Sequence, residues 1–232
     1  MAEKIISSNY GSIPHLSISK MSQQADKKIE MGQELILTKK ARDWKDLIIV
    51  TEKLDGSNVG VLKQNGKQIA ITRAGYSAES SPHKQHREFE YWRWNNWTMF
   101  DWLPEGWRIC GEWMAMAHGT IYDITDLPPF VAFDIITDKG NRLTYLSFLG
   151  YCIANKIPVV PLVHIGQPIT IKRAMEIVGQ GIYGKPEKTE GVVYRVERDG
   201  RVDFMAKFVR EDKEDGKYME QQIWNTGFKP EL

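Results

Sequence analysis

Lys53-Leu54-Asp55-Gly56-Ser57-Asn58 stands at the end of the apolar run Leu47 to Val50, directly after Glu52. An amine is thereby placed at the mouth of a predicted strand, between acids and a glycine turn. A deprotonated lysine amine can attack an electrophilic phosphorus and carry the transferred group as a covalent adduct. Neighbouring cations or partial desolvation make the proton easier to lose. The same string also reads as a solvated Asp-Gly turn. What separates the two readings is the set of polar residues that follows in otherwise apolar strands: Glu112 in Gly-Glu-Trp-Met, Phe133 and Asp134 in Phe-Val-Ala-Phe-Asp-Ile, Glu190 in Glu-Gly-Val-Val-Tyr-Arg, and Lys207 in Met-Ala-Lys-Phe-Val-Arg. Any one of these would pass as a rim residue or half of an ion pair.

The elements that must position these residues are short. Leu47 to Glu52, Val59 to Leu62 and Gln68 to Thr72 are β-branched runs, and the last two form a predicted hairpin around Asn65-Gly66. Trp107 to Met114, Pro129 to Ile136, Gly191 to Glu197 and Val202 to Phe208 are the further predicted strands. Helices are expected at 21 to 31, His83 to Leu103, Leu143 to Asn155 and Ile171 to Val178, with a charged helix and tail after Arg210. The His83 to Leu103 stretch carries Phe89, Trp92, Trp94, Trp97, Phe100 and Trp102. Its rings either pack into the core or, with Arg87, Arg93 and His86, form a stacking platform for single-stranded RNA. Strands and helices mix without regular βαβ alternation, which indicates an α+β class with antiparallel sheets. No Gly-x-Gly-x-x-Gly or Walker-type loop is present.

With 232 residues and no low-complexity linker, the chain reads as a single domain over residues 1–232. Its 31 basic and 30 acidic residues give no global field that would announce a nucleic-acid partner. Cys110 and Cys152, the two cysteines, sit in apolar stretches outside any metal-ligand spacing and read as buried thiols. The absence of a signal-peptide core or a membrane-length apolar run makes a cytoplasmic location the expectation.

Taken in order, the segments resemble the covalent nucleotidyltransferase superfamily of polynucleotide ligases and messenger-RNA capping enzymes. Asn58 after Lys-Leu-Asp-Gly-Ser, Gly-Glu-Trp-Met followed by His118 and Tyr122, and the early Ile13-Pro14-His15-Leu16 are most similar to ATP-dependent RNA ligases of the single-strand-break and end-repair kind. The resemblance covers roughly residues 8 to 212. It implies a nucleotidyltransferase (ligase adenylation) fold, with antiparallel sheets forming an ATP cleft. The implied chemistry is lysyl-AMP formation from ATP, transfer of AMP to an RNA 5′-phosphate, and displacement of AMP by a 3′-hydroxyl, assisted by Mg2+ or Mn2+. RNA ends are the implied partners, with an accessory RNA-binding or repair protein where the catalytic domain stands alone.

Residue by residue, the resemblance makes Lys53 the nucleophile and Glu52 a neighbour of the adenine. Asn58 orients the phosphate or its metal, and Arg73 contacts ribose or phosphates. Glu112 binds the ribose hydroxyl and supports metal, while Glu190 is the metal carboxylate. Lys207 neutralises the α-phosphate and helps keep the Lys53 amine unprotonated. Phe133 is either the ring that stacks on adenine or an ordinary core phenylalanine. His118 is either site-adjacent or structural, and Arg195 and Arg210 are structural or RNA-facing. Two departures stand out. Met205 occupies the position where many members carry a first lysine, and only about two dozen residues follow the last motif, too few for an accessory C-terminal OB-type domain. A DNA ligase, a GTP-using capping enzyme and a catalytically silent binding module are the alternatives.

Overall fold

The computed structural model describes residues 2–7, 9–21, 26–181, 189–213 and 223–232. In chain order the elements are α1 (Met31–Thr38), β1 (Leu47–Lys53), β2 (Ser57–Gln64), β3 (Lys67–Thr72), α2 (Lys84–Asn95), β4 (Arg108–Trp113) and β5 (Phe130–Ile136). There follow α3 (Tyr145–Ala154), β6 (Leu162–Gly166), α4 (Ile171–Val178), β7 (Gly191–Arg198) and β8 (Arg201–Val209). The strands form two antiparallel four-stranded sheets, ordered β6-β1-β7-β8 and β3-β2-β4-β5. The α+β expectation holds.

The first four residues of β1, Leu47 to Val50, are apolar because both faces of the strand are covered there. Ile48 and Val50 join Val192, Tyr194, Val196 and Ala206 in a cluster closed by Leu37 of α1 and Ala174 of α4. Ile49 points the other way, into the main core with Val59, Val61, Ile109, Phe130, Ala132 and Ile135 of the second sheet. That core also takes Phe89 of α2 and Phe148 and Cys152 of α3. Both cysteines are buried thiols, and burial pushes each up to about 12. The β2–β3 turn uses Asn65 and Gly66, both at positive φ, as the Asn-Gly signal requires.

Four expectations change. The helix expected over 21 to 31 lies instead at 31–38; residues 22–25 fall outside the described part, and His15 bridges to Lys28 in extended backbone. The aromatic helix stops at Asn95, and a separate 3-10 turn covers Trp97–Phe100. Asn96 causes the break: its side-chain amide donates to the Trp92 carbonyl at 2.8 Å while its own backbone leaves the helical region. Strand β6 was not foreseen, because its segment lies between prolines and only partly buries its side chains on the sheet edge. Of the expected tail helix, 214–222 lie outside the described residues. Residues 223–232 contain no helix, and there Trp224 and Thr226 bridge to Met116 and Asp123. Among the described residues no helix is long and apolar enough to cross a membrane.

Candidate active site

A cavity of about 850 Å³ opens between the two sheets. β1 delivers Glu52 and Lys53 to it, β2 delivers Asn58, the end of β3 delivers Arg73, β4 delivers Glu112, β5 delivers Phe133 and β8 delivers Lys207. Seven of the eight candidate residues therefore line one space, and the eighth, Glu190, reaches it through Lys53. The Lys53 Nζ lies 2.5 Å from Glu190 Oε2. Gly191, directly after Glu190, pairs with Lys53 across the β1–β7 ladder, which fixes that proximity.

The loop after Lys53 is held closely. A Cβ on Gly56 would stand 2.6 Å from the Trp113 carbonyl, so only glycine lets the turn approach β4. Its N–H donates to Glu112 Oε1 at 3.1 Å, and the Glu112 charge is felt at Lys53. Asn58 sits opposite Glu112 in the β2–β4 register. Glu52 is buried and accepts the Thr189 hydroxyl at 2.8 Å, so the residue before the nucleophile is tied to the residue before Glu190.

Burial acts to lower the Lys53 pKa, but Glu190, Glu112 and Asp55 outweigh it and hold the amine above its ordinary value. Burial pushes Glu112 up to about 7 against the attraction of Lys53, and it also raises Glu190. The expectation that Lys207 keeps the Lys53 amine unprotonated is corrected for this arrangement: three carboxylates hold the proton on. Lys207 is the amine whose pKa falls, through burial and then the charge of Lys53. It faces buried His15, which burial and Lys207 together also lower. Met205 lines the cavity and adds no charge there.

Phe133 is resolved in favour of the cavity. A register shift between Cys110 and Gly111 leaves it at the extra position of β5, the one residue of that strand that is not buried. Its ring packs edge-on to Tyr10 at 5.2 Å. Ile49, Tyr145, Val160 and Val193 are further apolar residues of the lining. Arg73 lies exposed at the rim, donating to the Gly11 carbonyl at 3.0 and 3.3 Å. His118 is bonded to Ser57 Oγ and Gln85 Oε1, both at 3.0 Å, and lines the cavity beside His83 and His86. Burial, then the other two imidazoles, lowers His86 to about 4, so it is neutral near pH 7.

Arg195 and Arg210 are both held by ion pairs, and Arg195 also lines the cavity. Arg195 is buried against Asp134 at 2.9 Å, and Arg210 donates to the Thr189 carbonyl and pairs with Asp212. The aromatic stretch is mainly core: Phe89, Trp92 and Phe100 stack around Trp113 and Phe130, while Trp94 and Trp97 are exposed. Sequence reasoning missed Lys213, which lies 2.7 Å from Asp55 Oδ2. Its run of four charged residues, Arg210 to Lys213, carries no signal of burial.

Among the described residues, no group of three or more His, Cys, Asp or Glu side chains makes a ready metal cage. Glu112 and Glu190 are nevertheless hard oxygen donors facing one amine. That set suits an ion which takes its remaining ligands from phosphate and water.

Two antiparallel sheets around a lysine-bearing cleft define the nucleotidyltransferase class of fold. Within that class the RNA ligase family model matches residues 46–209, and the chain belongs to that family. No curated protein matches the chain. Similar solved structures include three mutants of the Naegleria gruberi RNA ligase. One, with AMP and Mn, is 20% identical over 89% of this chain and 61% of that one, at a TM-score of 0.54. Another, in the apo form, is 19% identical over 92% and 60%, also at 0.54. The third, with ATP and Mn, is 20% identical over 72% and 51%, at 0.52. At these identities the likeness is one of fold, and the chain spans between half and about three-fifths of their length.

Proposed function

We propose that the chain is an ATP-dependent RNA ligase that joins 3′-hydroxyl and 5′-phosphate ends through a lysyl-AMP intermediate. The observation that carries this reading is the placement of Lys53 Nζ at a cavity of nucleotide size, 2.5 Å from Glu190 and in the field of Glu112. In this arrangement the carboxylates hold the proton on Lys53. A cation and the phosphates of a bound nucleotide would draw their charge away, and Glu190, in contact at 2.5 Å, is the group placed to accept the proton.

In the first step the Lys53 Nζ bonds to the α-phosphorus of ATP as the bond to the pyrophosphate oxygen breaks, and the amine's proton passes to Glu190. Lys207 meets the charge on the α-phosphate, and Asn58 and Arg73 orient the phosphates. Phe133 stacks on the base, beside Glu52. Glu112 and Glu190 would hold Mg2+ or Mn2+ together with phosphate oxygens. When bound, such an ion supplies charge neutralisation at the phosphate and draws carboxylate charge away from the amine. A 5′-phosphate oxygen of RNA then bonds to phosphorus as the P–N bond breaks and Lys53 regains its proton. Finally a 3′-hydroxyl attacks the activated 5′-phosphate and AMP leaves.

The test is sealing of RNA strands bearing 3′-hydroxyl and 5′-phosphate ends, with ATP and Mg2+, beside the same strands in DNA. The expected result is a joined RNA product that Lys53→Ala cannot form. A joined product from Lys53→Ala would overturn the mechanism. Sealing of DNA alone, or a requirement for GTP, would move the chain to the other branches of the superfamily.

A further inference from the structure

We infer that Lys213 is a positioning residue for the Lys53 nucleophile, supplied by the chain after β8; the inference rests on the nucleotidyl-transfer reading above. Its Nζ lies 2.7 Å from Asp55 Oδ2 and 3.2 Å from the His118 carbonyl, to which it donates. The two side chains of the pair are only 6% and 10% exposed. Asp55 Oδ2 also accepts the Thr120 N–H at 2.9 Å, and the Asp55 N–H donates to the Tyr122 hydroxyl at 3.1 Å. The residue two places after the nucleophile is thus gripped through both its backbone and its carboxylate.

The loop that does the gripping is itself held from the C-terminal side. Asn225, 1% exposed, accepts the Tyr122 N–H at 2.8 Å and donates its amide to the Met114 carbonyl at 2.6 Å. Its backbone N–H reaches the Ala115 carbonyl at 2.9 Å. Lys213 and Asn225 both lie beyond residue 209, where the family match ends. The cation that meets Asp55 therefore comes from outside the segment that the family model matches.

The physical consequence concerns direction. Asp55 is one of three carboxylates whose charge reaches Lys53. With Lys213 on Asp55, the Lys53 ammonium is left to Glu190, the carboxylate it contacts. With Lys213 removed, Asp55 becomes a buried charge that competes for the nucleophile and draws it off its line. A buried lysine–carboxylate pair returns little net stability once desolvation is counted, whereas its short contact fixes geometry well.

The test uses the full chain, ATP and Mg2+, and measures the Lys53–AMP adduct over time at varied ATP for wild type, Lys213→Met and Lys213→Arg, with melting curves alongside. The expected result is a loss of about tenfold in the rate at saturating ATP for Lys213→Met, with half-saturating ATP within about twofold of wild type. Lys213→Arg recovers most of the rate and of the melting temperature, whereas Lys213→Met melts lower because it leaves Asp55 buried without its cation, so the rate is compared per folded molecule well below melting. Should Lys213→Met fail to fold, Lys213→Gln keeps the donor to His118 and is read in its place, with the same expectation. A neutral variant that keeps the wild-type rate overturns the inference. So does a loss that follows the melting temperature and that arginine does not restore. A wild type that forms no adduct overturns the nucleotidyl-transfer reading, and this inference with it, whereas an active wild type with an indifferent Lys213→Met overturns this inference alone.

Discussion

Two of the buried charge clusters among the described residues are built from the same kinds of residue to opposite ends. In the first, Asp134 of β5 is fully buried and bonded to Arg195 of β7 at 2.9 Å, to Arg142 at 2.7 Å and to the Tyr10 hydroxyl at 3.0 Å. Glu197 stands 3.6 Å from Arg195 and accepts the Tyr145 N–H. Two carboxylates meet two guanidiniums, and the network clamps one sheet to the other. In the second, Glu190, Glu112 and Asp55 converge on the Lys53 amine, and burial raises both glutamates above their ordinary values. The first cluster is balanced and static. The second carries more negative charge than its nucleophile neutralises, which suits a place where a cation and a phosphate come and go.

That contrast can be broken most severely at Asp134. Asp134→Ala leaves Arg195 and Arg142 buried without their shared carboxylate, and it should lower unfolding stability by about 3–5 kcal/mol in urea titration. Adenylylation per folded molecule should hardly change. A large activity loss in a variant of wild-type stability would mean that the clamp belongs to the chemistry.

A smaller effect is expected at Glu112, and it has a sign. Its folded-state pKa, about 7, lies above the ordinary 4.5, so between those values the folded protein keeps a proton that the unfolded chain has released. Stability contributed by this group is present in full below about pH 4.5 and is lost as pH rises through 7. Glu112→Gln should remove that loss. Melting and urea curves should show it close to wild type near pH 4 and roughly 2 kcal/mol more stable near pH 8, at a heavy cost in adenylylation. Equal stability at both pH values would deny the strain assigned to the second cluster.

The smallest effect sharpens the first cluster alone. Tyr10→Phe removes one hydrogen bond to a charged, buried carboxylate and should cost about 1–2 kcal/mol, again without altering the Lys53 reaction. Loss of ATP affinity in this variant would point instead to the packing of Tyr10 on Phe133.

Much of this was legible in the sequence because it is written locally. The run Leu47 to Val50 announces strand β1, and Asn65-Gly66 announces the hairpin of β2 and β3. The order of Lys53, Glu112, Phe133, Glu190 and Lys207 brought the site residues into one cleft. What stayed hidden depends on distance or on a single irregularity. Lys213 meets Asp55 from across the fold, and no pattern in its charged run records that. The β5 register shift decides which way Phe133 faces, and period-two counting cannot see an inserted residue. Asp134 reads simply as a charged residue in an apolar strand, and only its partners Arg195, Arg142 and Tyr10 show it to be a clamp.

The most direct test of the central claim is to incubate the protein with ATP and Mg2+, digest it, and locate the added AMP by peptide mass spectrometry. The account predicts one AMP on the peptide containing Lys53 and its absence from Lys53→Ala. AMP on Lys207 or Lys213, or an adduct that survives Lys53→Ala, would contradict it.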